Sequence, residues 1–371
     1  MEPITLIVSE PLPPTSTNNR GTERFMEYVT GHTDGKVTFD VYDTSTLHPM
    51  QEAISAMESG LSDITLYIPG LLGSDVPTGA WQAGLSGMTT SMPMDMLAGS
   101  VAATATFTSG PVVNELAEHN AVYLGGFTSD SYTPLCRSPL DKLAEAKGKL
   151  GRSAGGTYDA EMEAIGMTPT LVDSNEVYEA LQRGTVDCHV GSLENFAKEG
   201  LAEVAKFYTP LSFSPNTGPG YIMNKEKFDA LPAAVQEVFR EASPLFGVGN
   251  SSALVERYVE WYGSAEDEFG VTFVRPADDL ADTLAEFREE EAATLAERAP
   301  DSVADPQAII QRYKSVYEEW VRILTDEFGV PKTDGSPESM LAALEYVAED
   351  LDWDAYRQRM YEYLRDLEDY E

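Results

Sequence analysis

One pattern, met twice, most constrains what this chain can fold into: strand, helix, strand, helix, strand, with the last turn of each copy spelling G-x-x-D. The first copy begins with a strand over residues 5–9 and helical spacing at Phe25, Met26 and Val29. The alternating strand Val37–Tyr42 and a helix over 49–58 follow. Gly60 ends that helix, and Gly60-Leu61-Ser62-Asp63 opens a third strand over 63–68. The second copy runs from a short strand at 150–154 through Tyr158, Met162 and Ile165 to Gly166, then a strand at 168–172. Asp173 caps the next helix in a capping box with Glu176, with Tyr178 and Leu181 facing inward. Gly184-Thr185-Val186-Asp187 then enters a strand over 185–190. Crossovers of this length are right-handed and return to parallel strands, so the two units predict two parallel-sheet lobes. A single doubly wound sheet is the alternative. Ligands of open α/β sheets bind beyond the carboxyl ends of the strands. Those ends carry Ser9, Glu10 and Tyr67 in the first unit, and Arg152, Ser153 and His189 in the second. Lobes that face each other would bring them into one cleft.

A length of 371 residues suffices for two cores. After Thr209 the pattern changes. Residues 211–220 read as a Pro-, Gly- and Ser-rich loop and 221–224 as a strand-like return. Helical spacing follows through Val235, Val238 and Phe239, then Leu254, Tyr258 and Trp261, with a strand at 271–274 and further helices over 280–295, 308–328 and 340–367. Their polar faces mix Glu and Asp with Arg and read as solvated. With 62 acidic against 25 basic residues the net charge is −37, which excludes nucleic-acid backbones and anionic membrane surfaces as partners. Such a field is screened by salt over about 8 Å. Marine or halophilic adaptation and an ordinary acidic surface both account for it. The charge-free runs 76–94 and 96–114 are too weakly apolar to span a bilayer, and the second reads as a buried helix followed by a turn. Glu2-Pro3-Ile4 leads straight into a strand, so no signal peptide is expected here; a mature terminus with Met1 added would hide a removed one. The two cysteines, Cys136 and Cys188, would pair in an oxidising compartment and stay buried thiols in the cytosol.

Three strings then narrow the reading. Lys149-Leu150-Gly151-Arg152, Ala164-Ile165-Gly166-Met167-Thr168-Pro169, and Glu176-Val177-Tyr178-Glu179-Ala180-Leu181-Gln182-Arg183-Gly184-Thr185-Val186-Asp187 resemble the DctP-type solute-binding proteins of TRAP (tripartite ATP-independent periplasmic) transporters. The family pattern is a K-x-R strand, a helix ending in A-x-G-A-x-P, and E-x-Y-x-A-L-Q-x-G-x-V-D. Leu150 stands at the Lys of the first element and Met167 at the second Ala of the next. Gly35-Lys36-Val37, Leu47 through Glu52 to Asp63, and Asn224 with Leu231-Pro232 match too. The likeness covers roughly residues 5–275, and the helical remainder matches poorly.

The resemblance implies an α/β, two-lobed periplasmic-binding-protein fold (type II-like) with an interlobe cleft, a long connecting helix and extra C-terminal helices. Residues 1–130 with about 212–250 would form one lobe, 131–211 with about 251–300 the other, and 301–371 an extension packing across both. It further implies a periplasmic monomer that closes on a small organic carboxylate and hands it to TRAP membrane permease subunits, with no nucleic acid, cofactor or metal. Arg152 inherits the carboxylate-holding role, which suits a guanidinium: a rigid, permanently charged fork. The sequence departs from relatives at three places. Gly191 stands where some have Asn, Tyr132 near a second Arg of some relatives, and Cys188-His189 replace the usual small residue and its neighbour. The cleft is therefore expected to be more aromatic, with Tyr67, Trp81, Tyr132 and Phe213 as candidates, two or more of them lining it. His189, Glu10 and Asn224 complete the expected ligand set, His189 being equally readable as a structural histidine. A Cys136–Cys188 disulfide fits export. A quaternary ammonium or sulfonium group on the ligand would suit an aromatic cage.

Enzyme chemistry has little support. Gly151-Arg152-Ser153-Ala154-Gly155 satisfies G-x-S-x-G, but the strand before it is poor and the only later histidine, His189, is too close for the hydrolase order. His32, His48, His119 and His189 are scattered, and Gly247-Val248-Gly249 lacks the third glycine of a dinucleotide turn. A ligand-sensing module reporting to a receptor would share the same fold and cleft.

Overall fold

The structure is a computed structural model describing residues 2–88, 92–153, 157–172, 176–198, 200–333 and 336–367. Asp173, Ala154 and Gly155, and with them the expected capping box and the last two residues of the G-x-S-x-G string, lie outside the described residues. Among the described residues eleven strands form two sheets: β1 (Ile4–Ser9), β2 (Val37–Tyr42), β3 (Ile64–Tyr67), β4 (Ala121–Thr128), β5 (Thr133–Cys136), β6 (Leu150–Ser153), β7 (Thr168–Leu171), β8 (Cys188–Gly191), β9 (Phe207–Tyr208), β10 (Thr217–Asn224) and β11 (Thr272–Phe273). Their orders are β2-β1-β3-β10-β4 and β11-β9-β5-β8-β6-β7, so the single doubly wound sheet is ruled out. Each sheet has the expected parallel trio, β2-β1-β3 and β7-β6-β8, but neither is wholly parallel. In the first sheet β10 runs antiparallel to β3 and β4; in the second, β5 runs antiparallel to β8 and β9. β10 begins inside the stretch expected as a loop, with register shifts near Gly220 and Tyr221 that accommodate its glycines.

The repeated G-x-x-D turn has one physical meaning in both lobes. Gly60 and Gly184 close their helices in the left-handed conformation. The aspartate that follows then ties the helix exit to the neighbouring strand: Asp63 Oδ2 accepts the Ile7 N–H at 2.9 Å, and Asp187 Oδ2 accepts the Leu150 N–H at 2.9 Å. The backbone bond returns in both, Asp63 N–H to Ile7 O and Asp187 N–H to Leu150 O.

Among the described residues up to Phe269, three segments lead from one lobe to the other. β4 leads into β5, β9 returns to β10, and the helix Pro244–Phe269 makes the third passage. The first two crossings are stitched together by the Tyr132–Phe213 bridge and the pairing of Thr128 with Thr217. At its start the long helix packs Phe246 on Phe25 and Tyr221, and further on Trp261 lies edge-on to Phe196 and Tyr208 in the other lobe. It crosses the helix Thr17–His32 at glycine contact. A Cβ on Gly249 would fall 2.4 Å from Gly21 Cα, and one on Gly21 2.5 Å from the Phe246 carbonyl oxygen.

The helix Met94–Phe107 is buried along its entire length. No single described helix is long and apolar enough to cross a membrane. The C-terminal segment packs Pro306–Asp326 against that buried helix, and Pro337–Glu349 and Trp353–Asp366 against the long helix. Trp320, fully buried, meets Tyr356 edge-on at 5.6 Å, and Tyr356 Oη donates to Leu97 O at 2.9 Å. The helix expected over 340–367 is two helices, because Asp352 breaks it and caps the second through the Asp354 and Ala355 amides.

Candidate functional site

A cavity of about 640 Å³ lies where the two lobes meet the crossings. One wall comes from the first lobe, with Leu12, Ser16, Thr17, Asn18 and Ile68. The opposite wall is Tyr178, Ser192, Glu194 and Asn195 of the second lobe. The crossing strands supply Phe127, Ser129, Asp130, Tyr132 and Asn216, and the long helix supplies Asn250 and Leu254. The lobes touch across it: Thr17 N–H and Oγ1–H donate to the two carboxylate oxygens of Glu194 at 3.2 and 2.9 Å. That carboxylate thus sits at the positive end of the helix Thr17–His32, where an anion is favoured.

Asp130 is the junction of the site. Its Oδ2 accepts from Ser192 Oγ at 3.0 Å, Leu193 N–H at 3.1 Å and Tyr258 Oη at 2.9 Å, binding crossing strand, second lobe and long helix at one atom. Burial raises its pKa to about 6, against the lowering effect of those donors. Next to it, Ser131 is held by Asp95 through its amide and hydroxyl, and burial lifts Asp95 to about 7. Tyr132 Oη accepts from Asn216 Nδ2 at 2.7 Å. Burial raises the Tyr132 pKa; the Asp130 carboxylate adds to the rise and the Arg152 charge opposes it.

The expected ligand residues divide into three groups. Tyr132 lines the cleft. Arg152, 4% exposed at the end of β6, is outside the lining set but close enough to act electrostatically on Tyr132, His189 and Asp159; its Nε donates to Val172 O at 3.0 Å. Its neighbours 154–156 and 173–175, which follow β6 and Val172, are outside the described residues. The remaining six lie elsewhere. Tyr67 is packed edge-on to Tyr123 under Gly79. Phe213 is wholly buried behind Tyr132. Asn224 caps the helix Lys225–Ala230 and donates to Met57 O, far from the crossings. Glu10 is buried beneath the helix Thr17–His32, accepting from Tyr221 Oη and Thr22 Oγ1. Trp81 donates to Leu295 O and lines a different cavity, of about 300 Å³, beside the buried Arg288–Glu161 ion pair. His189 is a core residue edge-on to Phe196, its pKa pushed down to about 3 by burial and then by Arg152.

His189 also explains a departure noted in the sequence. A Cβ on Gly191 would lie 2.5 Å from His189 Nε2, so the ring occupies the space a larger residue 191 would need. The lining residues Asp130, Glu194, Asn216 and Asn250 were not anticipated. Of these only Asn250 had a readable signal: Asn250-Ser251-Ser252 is a polar run in a helix whose whole first half is buried. The hydrolase constellation does not form. Ser153 Oγ donates to Asp159, and neither nitrogen of His189 has a partner among the described residues.

Glu10 offers a test of burial. Its pKa is raised from about 4.5 to about 7, chiefly by desolvation, with the Tyr221 hydrogen bond first among the opposing effects. The unfolded chain loses this proton near 4.5, so native stability falls as pH rises through that window, and above it the fold holds a buried charge. Glu10→Gln is therefore expected to be more stable than the parent at pH 8.5, by up to about 3 kcal/mol. At pH 4 it should have no such advantage. Denaturant midpoints at the two pH values check this, and a pH-independent difference counts against it.

Comparison with known proteins agrees with the geometry. The family described as bacterial extracellular solute-binding protein, family 7 (DctP) matches residues 8–298. The C4-dicarboxylate-binding periplasmic protein DctP of Rhodobacter capsulatus is 25% identical over 248 residues, covering 65% of this chain and 71% of that one. Across four curated relatives the chain spans between 62% and 71% of their length. A TRAP periplasmic solute-binding protein from Desulfovibrio salexigens shares the fold with a TM-score of 0.71 at 20% identity, over 85% of this chain and 96% of that one. DctP7 of Bordetella pertussis, an extracytoplasmic solute receptor binding pyroglutamic acid, gives 0.67 at 18% identity, over 85% and 99%. Proteins of this kind are solute-binding receptors, not enzymes. The match extends over well more than half of the 371 residues, and the chain belongs to the DctP family of TRAP-type extracellular solute-binding proteins.

Proposed function

We propose that this protein captures a small organic carboxylate in the interlobe cleft, closes on it by rigid-body motion of the lobes, and delivers it to the membrane subunits of a TRAP transporter from the periplasm. The observation that carries the reading is the cavity itself: about 640 Å³, walled by both lobes and floored by the crossings, so that a ligand inside contacts every part that would move. Arg152 is the group proposed to meet the carboxylate. It is the cation whose charge reaches the lining residue Tyr132, and closure strengthens such a pair by excluding water. The Cys136–Cys188 disulfide suits an oxidising compartment. The family's periplasmic members point the same way.

A thermal-shift screen against organic acids tests the function. A ligand at about 100 times its dissociation constant stabilises by about 2.7 kcal/mol, a rise of several degrees in the midpoint. The expected result is a rise for one chemical group of carboxylates and none for matched neutral alcohols. Stabilisation by no acid, or equally by the alcohols, overturns it.

A further inference from the structure

Asn250 is 1% exposed and lines the cleft, yet neither its amide nitrogen nor its amide oxygen has a hydrogen-bond partner among the described residues. Its neighbours in the helix behave differently: Ser251 Oγ donates to Met96 O and Ser252 Oγ to Gly249 O. A buried amide without partners is costly, and native structures keep few of them. Asp130 shows a matching asymmetry. All three of its protein donors converge on Oδ2, and Oδ1 accepts none among the described residues. The whole Asn250 amide, donor and acceptor, and the second Asp130 oxygen are thus left without a described protein partner in the lining of one cavity, with no lysine or arginine among the lining residues to meet the two oxygens.

We propose that Asn250 and Asp130 form a subsite for an N–H donor, so that the ligand is a small carboxylate that also bears an amine, ammonium or amide N–H. This rests on the carboxylate-receptor reading above, with Arg152 taking the carboxylate. A quaternary ammonium or sulfonium group has no N–H to give and would leave both oxygens unanswered, so the aromatic-cage expectation yields to a hydrogen-bonding one. The overall charge of −37 favours the same class, because a zwitterion reaches the cleft without the long-range repulsion an anion meets.

Calorimetry on the full chain with two matched sets tests it: L-proline, proline betaine and cyclopentanecarboxylate, then 4-aminobutyrate, its trimethylammonium derivative and pentanoate. In at least one set the N–H-bearing acid is expected to bind about tenfold or more tighter than its quaternary and nitrogen-free counterparts. The near-isosteric Asn250→Leu should erase that preference by weakening the N–H-bearing acid about tenfold relative to the nitrogen-free one. The wild-type comparison stands even where the variant folds poorly. Nitrogen-free or quaternary acids binding as tightly as their N–H counterparts overturn this inference alone, as does a preference that survives Asn250→Leu. If neither these acids nor any acid of the wider screen binds, the receptor reading fails and takes this inference with it.

Discussion

Arg152→Ala is expected to lower affinity for the carboxylate ligand by about a hundredfold or more while leaving the protein folded. Truncating one partner of a buried, hydrogen-bonded charge pair costs about 2–5 kcal/mol, which sets that scale. The setting is severe: the guanidinium is 4% exposed at the carboxyl end of β6, between β7 and β8, where little water can substitute for a lost contact. Arg152→Lys keeps the charge but not the planar fork, and should fall between the two. Calorimetry with a ligand from the acid screen reads the affinity, and circular dichroism shows that the fold persists. Unchanged affinity in a folded Arg152→Ala protein removes Arg152 from the site.

Removing the disulfide should have the largest effect on stability. Cys136 and Cys188 face each other in the register of β5 against β8, and the bridge closes a loop of 52 residues that contains β6 and β7. By chain entropy a loop of that length is worth about 4 kcal/mol through the unfolded state. The Cys136→Ala/Cys188→Ala double variant should therefore unfold at a clearly lower denaturant concentration with little change in ligand affinity, since neither cysteine lines the cleft. An unchanged midpoint would show that the cross-strand pairing alone holds this seam.

The scaffold was legible because its signals are local and periodic. Alternation at Val37–Tyr42, helical spacing after Tyr158, and a glycine-then-aspartate turn used twice each report a backbone need that a single sequence exposes. Antiparallel β10 and β5 were harder: their pairing depends on partners about a hundred and about fifty residues away, and Gly218-Pro219-Gly220 reads locally as a loop. The site was legible only in part. Arg152, expected from family likeness and strand-end position, lies outside the cavity lining, and Tyr132, expected from family likeness, is in it. Asp130 and Asn216 are lone polar residues on the crossings and Glu194 opens a short helix, and their meaning arises only when distant segments meet. Tyr67 and Phe213 show the reverse failure, since an aromatic at a strand end looks the same in sequence whether it faces a ligand or a neighbouring ring.

Gly21 and Gly249 meet without side chains between them, and this has a mechanical result. The helix carrying Ser16, Thr17 and Asn18 and the helix carrying Asn250 are seated backbone on backbone, with no compressible layer to let one slide on the other. One jaw and the bed of the vice are then a single casting, while the opposite jaw, with Tyr178, Ser192 and Glu194, meets them through hydrogen bonds such as those of Thr17 with Glu194 and of Ser192 with Asp130. In the receptor proposed above, Asn250 would present its amide at a fixed position in the empty and the filled protein alike, a gauge against which each incoming solute is measured.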